Sequence, residues 1–149
     1  MTARIDPRLT ALERLTGRIK QLTSIGISLD GCRRWGSGPD SEFEAFAQQE
    51  LADRGHVMAE LETLTQTLRA EAPDVMTAWA QAHIELLEDY LTRVDAGSTQ
   101  TFVAENEMKA WSEVLAGTRD FVEENPVYVK PDPETYARLF GCPLPTFYW

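Results

Sequence analysis

A chain of 149 residues is the size of one ordinary domain, expected to span 1–149 and to bury about 68–70% of its unfolded surface without disulfide or metal. Its net charge of −10 argues against direct nucleic-acid binding, which lysine and arginine drive, and favours a basic protein as partner. Cys32 and Cys142 are too few and too far apart for a disulfide framework, and no run of about eighteen apolar residues offers a membrane span. Met1–Arg18 carries charges inside its apolar pattern where a secretory leader would be continuous, so a cytoplasmic protein is expected.

Residues 1–34 hold seven of the fourteen basic residues and three acids, a segment of +4 in a chain whose remainder is −14. Asp6-Pro7 opens the first predicted helix, with a capping carboxylate followed by a proline already set for the first turn. Leu9, Leu12, Leu15, Ile19, Leu22, Ile25 and Leu29 follow at near-heptad spacing, a seam suited to another long helix or to a second copy of the chain. This helix is expected to end near Ser28. The loop after it, Leu29–Pro39, carries three glycines and the run Arg33-Arg34-Trp35. It matches no phosphate-cradling motif. Arg and Trp dominate interface hot spots, so the three side chains are candidate partner contacts. The commoner fate of a lone loop aromatic is to fold back over the body, with the arginines paired to surface acids.

Ser41 and Glu44 read as a capping box for a second helix running to Glu71, with a bend expected at Gly55. Asp53, His56 and Glu60 share one strip of it and form the nearest approach to a metal half-site. A solvated salt-bridge strip is the simpler reading. Ala72-Pro73 ends this helix. A third runs from a cap at Asp74 to Val94, with Met76, Trp79, His83, Leu87 and Tyr90 on one face. His83 on that apolar face is either a general base or ligand in a dry pocket, or a core histidine hydrogen-bonded across the bundle. No carboxylate lies three or four residues away on its own helix, which favours the second. Paired acids, Glu50 with Asp53 and Glu85 with Glu88, are of the kind that holds magnesium, but the latter two fall on the wet face.

Asp95-Ala96-Gly97-Ser98 closes the third helix. Thr99 or Thr101 caps a fourth, carrying Ala104, Met108, Trp111, Leu115 and Val122 and stopped by Asn125-Pro126. Val127–Lys130 reads as extended chain across the bundle. Asp132-Pro133 opens a short fifth helix that Gly141 ends. The tail finishes in Phe147, Tyr148 and Trp149, which should plug the bundle or bind something.

The expected fold is all-α: an up-down bundle of four main helices, a short fifth helix and an extended C-terminal tail packed on it. The expected function is a non-enzymatic protein–protein interaction domain of inhibitor, immunity or adaptor type. It would use the acidic surface with Arg33, Arg34, Trp35, Phe147, Tyr148 and Trp149, and no cofactor. The alternative is a helical-bundle enzyme or a metal- or cofactor-binding protein centred on His83 or His56.

Overall fold

The computed structural model describes residues 5–36, 38, 40–123 and 129–144. Six helices appear among them and no strand: α1 (Pro7–Trp35), α2 (Ser41–Leu51), α3 (Arg54–Glu71), α4 (Pro73–Leu91), α5 (Thr99–Ala116) and α6 (Pro133–Phe140). The all-α class stands. The tail residues Phe147, Tyr148 and Trp149, the Asn125-Pro126 stop and the first half of the Val127–Lys130 stretch lie outside the described residues. At the end of that stretch Val129 is buried and Lys130 exposed.

Helix α1 does not stop at Ser28. It continues through Gly31 to Trp35, so most of the expected glycine-rich loop is helix. Leu29 is buried, Arg33 pairs with Glu44 at 2.7 Å, and Arg34 pairs with Asp30 one turn back at 3.0 Å. Two cations in the last turn also suit the helix dipole. These gains outweigh the cost of a mid-helix glycine, about 1 kcal/mol. At 29 residues α1 is about 43 Å long. Its first half enters the main core through Leu9, Leu12 and Ile19. Its second half packs on α2: Leu51 stands across from Gly26 and Glu44 from Arg33, so the two helices run antiparallel. Leu22, Leu29 and Ala47 are buried outside the main core cluster.

The second predicted helix is two. The chain breaks at Ala52–Asp53, ahead of Gly55, and Arg18 bridges the break by pairing with Glu50 at 2.5 Å and Asp53 at 3.5 Å. The α2 cap is Asp40 rather than Ser41, its carboxylate accepting from the Glu42 amide. Helix α4 begins at Pro73, with Asp74 in its first turn rather than at its cap. Ser98 caps α5, accepting from the Thr101 amide. That helix stops at Gly117 instead of reaching Val122, because Gly117 takes a left-handed φ of 85° that closes its end. The strap 118–123 is then tied back to α3: Arg69 meets Asp120 and the Arg119 carbonyl, and Arg54 meets Glu123.

The core sits where α4 meets α1, α3, α5 and α6. Trp79 and Trp111 cross edge to face with ring centres 4.8 Å apart, joining α4 to α5. Helix α6 is as the Asp-Pro start and Gly141 stop predict. It docks through Tyr136 and Phe140, and the Thr10 hydroxyl donates to the Phe140 carbonyl at 2.9 Å. No helix among the described residues is long and apolar enough to cross a membrane.

Candidate functional site

The stripe 9, 12, 13, 16, 19, 20 of α1 is buried, and two of its members are charged: Glu13 and Lys20. An unpaired carboxylate in such a place would be very costly, so its partners define the site. Three donors converge on it. The Trp79 indole N–H donates to Oε1 at 2.7 Å. His83 Nε2 meets the same oxygen. The Tyr136 hydroxyl donates to Oε2 at 2.6 Å. An ionised carboxylate only accepts, so the hydrogen shared with His83 belongs to Nε2. Glu13 on α1 therefore clasps α4 and α6 together.

Burial pushes the Glu13 carboxyl up. The charge and hydrogen bond of His83, the Lys20 ammonium and the Tyr136 hydroxyl outweigh that penalty and hold it below the usual carboxylate range. Burial raises the thiol of Cys142, at the end of α6, and the nearby Glu13 carboxylate raises it further. The Tyr136 hydroxyl and Arg14 oppose this in part. Cys142 is thus near Arg14, while Cys32 lies five turns further along α1, about 27 Å away, and both thiols are free.

His83 is core, more deeply than a half-buried rim histidine. Its ring stacks on Trp111 with centres 3.9 Å apart and planes 2° off parallel, and Phe140 covers it at 4.6 Å. The Trp79, Trp111 and Phe140 rings pack around the imidazole. The arrangement holds a charge and sets helix positions. Sequence reasoning placed His83 on the buried face but missed its partner. The available signal was that Glu13 and Lys20 fall at the three- and four-residue steps of the α1 seam.

The Asp53, His56, Glu60 strip is not drawn together. Asp53 turns to Arg18, while His56 and Glu60 line a groove between α3 and α1. Among the described residues no three metal-ligating side chains gather into a possible ion site. Glu50 also serves Arg18, and Glu85 meets Arg138 on the surface. The groove has a volume of about 680 Å³ and is lined by Arg14 and Leu15 from α1 and by His56, Ala59, Glu60 and Leu64 from α3.

The remaining candidates stand at the α1–α2 corner. Arg33 and Arg34 are paired to acids, as the simpler reading expects. Trp35 does not fold back; it is 87% exposed at the end of α1, and Phe46 on α2 is half exposed. On α5, Phe102 is also largely exposed. The chain matches no known protein family, no curated protein and no solved structure.

Proposed function

We propose that the chain is a non-enzymatic protein-interaction domain, of inhibitor, immunity or adaptor type, that binds a basic protein through its α1–α2 corner. The observation that carries this reading is Trp35, a large aromatic left in water at the end of a helix that outruns the main core. Ile27, Gly31 and Trp35 follow one another at four-residue steps along α1, a strip with a notch at the glycine, where an added side chain would meet nothing. Asp30, Asp40, Glu42 and Glu44 surround this end against Arg33 and Arg34. The two guanidiniums are spent on Glu44 and Asp30, so Asp40 and Glu42 remain to attract a cationic surface. The same reading takes the long helices as an up-down arrangement, supported by the neighbours α1–α3, α3–α4 and α4–α5, and the cytoplasm as its location. Self-association through α1 would use this strip, because Leu9, Leu12, Ile19, Leu22 and Leu29 are buried within the chain.

The test is capture from native lysate by the tagged full chain, beside Trp35→Ala and Asp40→Asn/Glu42→Gln. The expected result is a basic protein held by the parent, released by salt, and lost with Trp35→Ala at unchanged Tm. Equal capture by all three proteins, or none at any salt concentration, overturns the reading.

A further inference from the structure

The groove between α1 and α3 carries chemistry that neither the buried carboxylate nor the α1–α2 corner uses. Its volume, about 680 Å³, falls within the roughly 300–1,000 Å³ range of small-molecule sites. Leu15, Ala59 and Leu64 give it apolar walls, and Arg14, His56 and Glu60 are its ionisable groups.

Arg14 stands apart from the other arginines. Among the described residues Arg8, Arg18, Arg33, Arg34, Arg54, Arg69, Arg93, Arg119 and Arg138 each pair with a carboxylate. Arg14 pairs with none, in a chain of 24 acids and 14 bases. A guanidinium is a rigid fork matched to carboxylate geometry. Unpaired, on the wall of a mostly apolar groove that Glu60 also lines, it presents a cationic fork beside apolar surface.

We propose that this groove binds a small amphiphilic monocarboxylate, its head on Arg14 and its apolar body along Leu15, Ala59 and Leu64. His56 supplies a further ring nitrogen at the same groove. Glu60 sets the selectivity. Its fixed negative charge, together with the net charge of −10, repels a dianion such as a phosphate monoester more than a single carboxylate. A cationic amphiphile would meet Arg14 and be rejected in turn.

The experiment titrates decanoate, below its micelle concentration, into the full chain by calorimetry, with decyl phosphate and decyltrimethylammonium as comparison ligands. Saturable uptake of one decanoate per chain is expected, with methyl NMR shifts at Leu15, Ala59 and Leu64. Arg14→Gln should weaken binding about tenfold, the loss of one charge-assisted head-group contact. Glu60→Gln should tighten it. Arg14 and Glu60 are both exposed, so each variant should keep the parent Tm. Absence of saturable uptake, undiminished affinity in Arg14→Gln, or preference for either comparison ligand would overturn the proposal.

Discussion

Glu13 shows how one residue can organise a core and escape notice in a sequence. It receives an indole N–H, an imidazole N–H and a phenol O–H inside an apolar bundle. Removing one member of a buried charged cluster costs about 3–5 kcal/mol, because the rest is left buried and unmatched. Glu13→Gln and His83→Gln should therefore each destabilise the fold by roughly that amount in urea unfolding. Their double mutant should fall short of the sum by about 1 kcal/mol or more, since the two side chains share one interaction. The pH dependence follows from the lowered Glu13 pKa. The unfolded chain holds that proton more tightly, so the contribution is complete above the ordinary carboxylate range, near pH 4.3. It is lost as pH falls through the lowered native value. Stability of the parent should drop below about pH 4.3, and Glu13→Gln should flatten that limb.

Helix α6 is the element that depends most on this residue. It has eight residues and cannot persist alone in water. Its anchors are the Tyr136 hydroxyl on Glu13, the buried Phe140 ring and the Thr10 hydroxyl on the Phe140 carbonyl. Tyr136→Phe should cost about 1–3 kcal/mol. Amide exchange should quicken first in 133–140, ahead of α4 and α5. The left-handed cap of α5 gives an independent check. At Gly117 a side chain would be strained by the backbone and would stand 3.3 Å from the Arg69 guanidinium that ties the strap to α3. Gly117→Ala should lower stability by about 1–2 kcal/mol.

At the scale of the whole molecule, α1 divides the protein in two. Its first half belongs to the core built on α4, while its second half and α2 form an antiparallel pair that ends in an exposed tryptophan. The division also separates the thiols. Two cysteines whose Cα atoms must come within about 7 Å cannot be bridged along the length of α1. Both should react with a thiol reagent in the unfolded chain without prior reduction, and Cys142 should be the slower in the native protein because its thiol pKa is raised. Trp35→Ala, which removes no buried contact, should leave Tm within measurement error.

The sequence by itself determined the helical class, the buried face of α4 with His83 on it, the Asp-Pro start and Gly141 stop of α6, and the acidic balance. These are local matters: periodicity, caps and charge act within a few residues. Only the tertiary structure decided that α1 runs on to Trp35, because that depends on Glu44 from another helix. It alone broke the second predicted helix at Asp53, where Arg18 waits on α1. It alone paired His83 with Glu13, 70 residues earlier, and set Arg14, with no carboxylate paired to it, on the wall of a groove that Glu60 also lines. The pattern of one helix puts a histidine on an apolar face, but what it meets there is set by what the other helices bring to its edge, and here they bring a carboxylate and aromatic rings.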